Sequence, residues 1–374
     1  MKIGILTLHS AHNYGAVMQA FATRKAFSNI SEDNEVNIID YRQPDMESRK
    51  GFKLDKNIRY DLIQLERLLL NGKVKSRRAA FESFIKNNHC LSRTCSSKKE
   101  LSEVASGYDV LVSGSDQLWN RFITDGDLAY YLDIDKTQGC KKISYASSFG
   151  EYRFPKDSED KMREIFNDFA HISCRELDGC EYIEQITRLN CTNCCDPTVL
   201  LDKSEYAQVY SRKGAVRDKI KKLAKEKYLI VYNLTNEKEV YDAIEKIAKA
   251  KNLKVYQLIE SVRKKSVVDK IIQDASPEEF LYLMDNSEYV ITNSFHGTCF
   301  SVIFQKDFYV ITPHRPNRMM SLLSIIGIPE RIILKPENME SINPDSSIDY
   351  GEVKIRLEEY TKKSKDYIKK AIYE

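Results

Sequence analysis

Between Tyr228 and Ile311 the chain alternates apolar runs of strand length with stretches of helix length, and this alternation limits its fold more than any other feature. The runs Tyr228 to Tyr232, Lys254 to Ile259, Tyr289 to Thr292 and Phe308 to Ile311 are separated by helix-like Lys238 to Lys249, Pro277 to Met284 and Thr298 to Phe304. Strands that alternate with helices predict a parallel sheet with helices covering its faces. The start of the chain has the same rhythm: apolar Ile3 to Leu8, a helix over Ala16 to Phe27, then Val36 to Ile39. Strand-like segments resume at Tyr108 to Val112, Ile143 to Ala146 and His171 to Cys174. Residues 59–88 carry helical periodicity and many charges, which predicts an inserted helical hairpin.

A length of 374 residues suits two domains. The charge-rich segment after Leu201, followed by a fresh strand at Tyr228, puts the boundary near residue 205. The expected architecture is α/β: two Rossmann-like domains, 1–205 and 206–335, facing a central cleft. A tail, 336–374, ends in the lysine-rich amphipathic segment Tyr350 to Tyr373, which would pack back on the first domain.

With 58 basic and 55 acidic residues interspersed, the net charge of +3 gives no reason to expect a nucleic-acid partner. No run is long and apolar enough to span a bilayer, and the opening "MKIGILTLHS" lacks the features of a signal peptide, so a cytoplasmic location is expected. Nine unevenly spaced cysteines argue against a disulfide framework. Cys191, Cys194 and Cys195 form half of a zinc-like pattern without a second half downstream, and Cys174 and Cys180 are near enough in sequence to keep a metal open. Partly buried free thiols are the expected outcome, and no metal is assigned.

In open parallel sheets, ligands bind beyond the carboxyl ends of the strands. Four polar clusters occupy such positions: "HSAHNYG" (9–15), "SGSDQLWN" (113–120), "SCRE" (173–176) and "NSFHGT" (293–298). In the first, Asn13 is a candidate ligand or a helix cap, and the HxxH of His9 and His12 is weak evidence for metal. In the second, Ser113 and Ser115 allow close approach of backbone to a ligand. There Asp116 could orient or deprotonate a hydroxyl, or cap a helix, and Trp119 could stack on a sugar or fill the core. Arg175 could offer paired donors to a carboxylate or phosphate, or pair with Glu176 or Asp178 at the surface. His296 falls on a strand-to-helix turn, where unpaired N–H groups and the helix dipole suit an anion. Most histidines in such turns are caps or buried hydrogen-bonding residues. Neither the Walker pattern, nor G-x-G-x-x-G, nor a GxSxG elbow occurs.

Taken together, "GILTLHSAHNYGAVMQAFA", "YDVLVSGSDQLWN", "ISYASSFG", "SCRELDG", "DPTVLL", "YVITNSFHGTCFSVIF" and "NRMMSLLSIIGI" resemble the polysaccharide pyruvyl transferase family, in that family's order from residue 4 to about 328. The resemblance implies a GT-B-like pair of domains and transfer of a pyruvyl group from phosphoenolpyruvate to a sugar, as a ketal, with release of phosphate. No cofactor beyond that donor is implied. The acceptor would be a sugar or lipid-linked glycan, and the latter would allow peripheral association with a membrane. His296 matches the family's histidine and would be general acid and base. Ser294 and the N–H groups near Gly297 and Thr298 would meet phosphate, and Arg175 matches an arginine that would hold phosphate or carboxylate. Some members carry a basic residue just before the histidine turn, where this chain has Ser294 and Phe295. Arg318 is the expected replacement, with Arg315 behind it. A GT-B glycosyltransferase using a nucleotide sugar and a non-catalytic sugar- or anion-binding protein of polysaccharide assembly are the alternatives.

Overall fold

Every strand pairing in the described residues is parallel, in keeping with the strand–helix alternation of the sequence. The computed structural model describes residues 1–43, 71–234, 238–258, 265–312 and 316–374. The described residues form two units, one drawn from 1–43, 85–201 and 358–374 and the other from 71–84 and 202–357.

In the first unit, Lys2–Leu6 (β1), Glu35–Ile38 (β2), Val110–Ser113 (β3) and Lys141–Ser144 (β4) lie in the order β2-β1-β3-β4. Ile172–Cys174 (β5) pairs with Cys191–Asn193 (β6), and a parallel bridge between Ile143 and His171 sets β5 beside β4. The helix Tyr14–Ser28 is buried over most of its length, which suits the small and apolar residues of "GAVMQAFA". Between the strands and the helices Glu159–Asn167 and Leu177–Thr187 lies an aromatic core. Trp119 sits in this core, fully buried, with its ring stacked on Tyr131 at 5.9 Å and meeting Phe166 edge-on at 5.1 Å. A sugar cannot reach it, so the stacking role considered for Trp119 is corrected to packing.

In the second unit, Tyr228–Tyr232 (β7), Lys254–Leu258 (β8), Lys270–Ile272 (β9), Tyr289–Thr292 (β10), Asp307–Ile311 (β11) and Ile332–Ile333 (β12) lie in the order β12-β11-β10-β7-β8-β9. Counted from β7, this is the Rossmann order 3-2-1-4-5-6. The middle strands have no polar face, as strands covered by helices on both sides require: every residue of β7 and β10 is buried. The helix Pro277–Asp285 begins where Ser276 and Glu279 form a capping box and Pro277 takes the first turn. The helix after β10 runs Phe295–Ile303, starting before the expected Thr298, so His296 lies inside its first turn.

The boundaries between units differ from those expected. Residues 71–84 join the second unit, where Lys73 Nζ donates to Gln273 Oε1 at 2.6 Å. The helix Asn71–Asn88 is described, while the rest of the expected hairpin, 59–70, lies outside the described residues. Residues up to 357 also belong to the second unit, anchored to it by Asn343 N–H on Tyr309 Oη at 3.1 Å and Ile348 N–H on Asp307 Oδ1 at 2.8 Å. Only the latter part of the helix Tyr350–Tyr373 joins the first unit, where Tyr367 Oη donates to the Ser144 carbonyl at 2.8 Å. No described helix is long and apolar enough to cross a membrane.

Candidate functional site

Each sheet reverses its winding at one place, between β1 and β3 in the first unit and between β7 and β10 in the second. At such a point the connections leave to opposite sides and open a crevice past the strand ends. The polar clusters 9–15 and 113–120 lie at the first switch point, and 293–298 lies at the second.

At the second switch point the turn is built by short side chains. Thr292 Oγ1 donates to the Tyr232 carbonyl at 2.6 Å, tying the ends of β10 and β7, and accepts the Ser294 N–H at 3.0 Å. Asn293 Oδ1 takes the Leu234 N–H at 2.7 Å, tying the two loops beyond. Ser294 is the N-cap, its Oγ accepting from the Gly297 N–H at 3.4 Å. Gly297 is required by space: a Cβ there would lie 2.2 Å from Thr292 Oγ1 and 3.1 Å from Tyr232 Cδ1. The helix therefore presses its first turn onto the ends of both strands.

His296 is held in that turn, 7% exposed, with its ring edge-on to Phe295 at 5.4 Å. The guanidinium of Arg318, which is half-buried on the helix Asn317–Ile325, lies over the other aromatic partner, 5.5 Å from the Phe295 ring centre. The Phe295 ring thus lies between the His296 imidazole and the guanidinium of Arg318 as their common neighbour. Arg315 lies outside the described residues. The Thr298 N–H and hydroxyl both donate to the Ser294 carbonyl, at 2.9 and 3.1 Å, and the Gly297 N–H is used by the cap. The phosphate contacts expected of Gly297 and Thr298 are corrected accordingly: these groups build the turn.

At the first switch point the polar groups satisfy each other. Ser113 Oγ donates to the Tyr130 carbonyl at 2.7 Å and Ser115 Oγ to the Ala146 carbonyl at 3.1 Å, both fully buried. Neither is available to a ligand, which corrects their expected role. Asn13 caps the helix Tyr14–Ser28 through the Ala16 N–H at 3.3 Å. His9 is buried, with Nδ1 3.1 Å from the Thr7 carbonyl and Nε2 2.8 Å from Asp40 Oδ1, so both of its ring nitrogens have protein partners. Burial would raise the pKa of Asp40, but hydrogen bonds from His9, Thr94 and Arg42 hold its carboxyl well below the usual carboxylate range.

Arg175 makes one of the pairings its sequence offers, with Glu176, but buried and not at the surface. It is 3% exposed, donating from Nη1 to Asp196 Oδ2 at 2.7 Å and from Nε to Glu176 Oε1 at 3.1 Å, with Nη2 3.7 Å from Asp116 Oδ1. Burial lowers its pKa, but the three carboxylates outweigh this and raise it, so the guanidinium stays charged. The carboxylates that surround its guanidinium are supplied by the protein. Asp178 pairs instead with Arg153 at 2.7 Å. Asp116 keeps some exposure, in a strained backbone conformation with φ +79°, while its Oδ1 accepts the Gln117 N–H at 2.9 Å. The sequence contained "SCRE" and "DPTVLL" but gave no sign that Asp196 and Asp116 close on one arginine.

The family model for polysaccharide pyruvyl transferase matches residues 13–315. No curated protein matches the chain. Among solved structures, UDP-GlcNAc 2-epimerase from Methanocaldococcus jannaschii is similar with a TM-score of 0.52 at 12% identity, covering 96% of this chain and 100% of that one. The same enzyme from Neisseria meningitidis, bound to UDP-GlcNAc, gives 0.50 at 12% identity over 96% and 99%. An alpha-glucosyltransferase in complex with UDP and a 13-mer DNA gives 0.50 at 10% identity over 98% and 95%. At these identities the likeness shows the fold alone, which is GT-B-like with two Rossmann-like units.

Proposed function

Since the chain belongs to the polysaccharide pyruvyl transferase family, we propose that it transfers a pyruvyl group from phosphoenolpyruvate to a sugar of a cell-surface polysaccharide or its precursor. Two sugar hydroxyls become the oxygens of a pyruvate ketal, and phosphate leaves. The observation that carries this reading is the group formed by His296, Phe295 and Arg318 at the second unit's switch point. It combines an imidazole in the first turn of a helix with a guanidinium one aromatic ring away.

In this reading His296 donates a proton to the methylene carbon of the donor, which becomes the methyl group, as a sugar hydroxyl attacks the adjacent carbon. The imidazole then takes back the proton that hydroxyl loses. A second hydroxyl attacks the same carbon, the C–O bond to phosphate breaks, and the proton of that hydroxyl goes to the departing phosphate. Acid–base catalysis of this type contributes roughly 10² to 10⁴ in rate. Arg318 provides the positive charge that a donor with phosphate and carboxylate groups needs, and Ser294 fixes the turn. Within the first unit, Asp116 is the carboxylate proposed to orient a sugar hydroxyl, and Arg175, with Nη2 3.7 Å from its Oδ1, positions it. No cofactor or metal is assigned to the reaction. Acceptors on a lipid carrier would bring the protein to a membrane surface.

The Rossmann order of the second sheet favours one other reading, because nucleotides bind at the switch point of such sheets. That enzyme would use a nucleotide sugar and release a nucleoside diphosphate. Incubating the protein with phosphoenolpyruvate and a panel of nitrophenyl and lipid-linked sugars, and separately with nucleotide sugars, distinguishes the readings. Acceptor-dependent phosphate release supports pyruvyl transfer. Nucleoside diphosphate release without it supports the glycosyltransferase, and sugar binding without either product supports the non-catalytic alternative.

A further inference from the structure

Three cysteines at the edge of the first unit converge on one point. In the parallel register of β5 and β6, Ile172 lies opposite Cys191 and Cys174 opposite Asn193. Paired residues project to the same face and side chains alternate along each strand, so Cys174 and Cys191 share a face. The helix Leu177–Thr187 returns over that face and brings Cys180 in its first turn. The helix lies in contact with β5 there, a Cβ built at Gly179 standing 3.5 Å from Cys174 Sγ. As a result the sulfurs of Cys174, Cys180 and Cys191 all lie within 4.8 Å of one another, the first two buried and the third partly exposed.

The grouping is not the one the sequence suggests. Of the run Cys191, Cys194 and Cys195, only Cys191 takes part, while Cys195 lies beside the Tyr145 hydroxyl, with Sγ 3.9 Å from it. In tetrahedral zinc sites with Zn–S near 2.3 Å, neighbouring sulfurs stand about 3.8 Å apart. The three sulfurs here need to contract by at most about 1 Å to reach that spacing. Burial of one thiol is ordinary packing, but packing alone does not bring three from two strands and a helix to a common centre. A carboxylate is also close: Glu184, one helical turn after Cys180, accepts the Cys191 N–H at 3.1 Å.

We propose that Cys174, Cys180 and Cys191 bind one soft divalent cation, zinc being the fitting ion, with the fourth position on the side of Cys191 that solvent reaches. Each coordinating thiol gives up its proton to solvent, and no electron transfer is involved. The ion cross-links β5, β6 and the helix over them. It thereby braces the strand that continues into Arg175, and it takes no part in the proposed group transfer.

The test uses the full-length protein, reduced and stripped with a chelator, then titrated with zinc against a chromophoric competitor and separately with cobalt. The expected result is one equivalent of zinc, sulfur-to-cobalt charge-transfer absorption and a higher melting temperature. Cys180→Ser and Cys191→Ser should each weaken zinc binding by more than about 100-fold, beyond what loss of an outer-shell contact produces. Cys194→Ser and Cys195→Ser should bind as the parent does. Reduced parent protein that takes up no zinc overturns the proposal, and so does zinc uptake that Cys180→Ser and Cys191→Ser leave unchanged. Should the serine variants fail to fold, the cobalt spectrum of the parent decides: without sulfur-to-cobalt absorption the thiols are not ligands.

Discussion

Past the ends of β3, β5 and β6 the charged side chains are buried and bound to one another, whereas past β10 a histidine and an arginine flank one aromatic ring at the start of a helix. Arg175 and Arg318 state the contrast. The first is 3% exposed among three carboxylates, and the second is half-buried against Phe295. Both switch points follow from the same topology, so topology alone does not select the chemical site. A buried cation whose counter-charges belong to the fold stabilises a conformation, while a group that must meet a ligand has to remain reachable. On this basis Arg318, and not Arg175, is the cation proposed to meet the donor.

The contrast can be broken most severely at Arg175. Arg175→Met leaves Asp196 and Glu176 buried without their cation, and removing one partner of a buried ion pair costs about 3 to 5 kcal/mol. Thermal or denaturant unfolding should show that loss. An Arg175→Met protein of parental stability with weakened donor binding would return Arg175 to the role its sequence suggested. Gly297→Ala comes next. Its Cβ would stand 2.2 Å from Thr292 Oγ1, and overpacking of this kind costs about 1 to 3 kcal/mol. It should also shift the helix that carries His296, so turnover should fall more than for an alanine placed at Gly72, where nothing crowds a Cβ. Equal effects at the two positions would count against the close approach.

The smallest effect sharpens the contrast through pH. Asp40 has a folded pKa below its unfolded value of about 3.9, so its contribution is complete above that value. It is lost as pH falls from about 4 toward the lower folded pKa. Asp40→Asn should therefore flatten the acid limb of the stability curve and leave its slope near neutrality alone. An unchanged acid limb would remove Asp40 from the account.

How much of this was readable in advance differs between backbone and side chains. Alternating apolar runs disclosed both parallel sheets because strand and helix periodicities are local. The strands β6, β9 and β12, two or three residues long, are too short to leave a periodic signal. Strand order is tertiary, so the switch points were not visible either. The turn at His296 was legible because cap, glycine and histidine are adjacent in sequence. For Arg175 the pairing with Glu176 was legible because the two are adjacent, whereas Asp116 and Asp196, which complete its surroundings, are distant in sequence and left no sign. The unit that takes residues 71–84 was hidden for the same reason: a helical period shows that a segment has a face to bury, not which sheet buries it.

The most direct test is acceptor-dependent release of phosphate from phosphoenolpyruvate by purified His296→Gln protein, beside the parent and with melting temperature recorded for both. Glutamine keeps much of the size and some of the hydrogen bonding of histidine but cannot exchange a proton near neutral pH. The account predicts turnover lower by about 10² or more with melting temperature preserved. A folded His296→Gln protein that releases phosphate at the parental rate would contradict it and make His296 a structural residue of the turn.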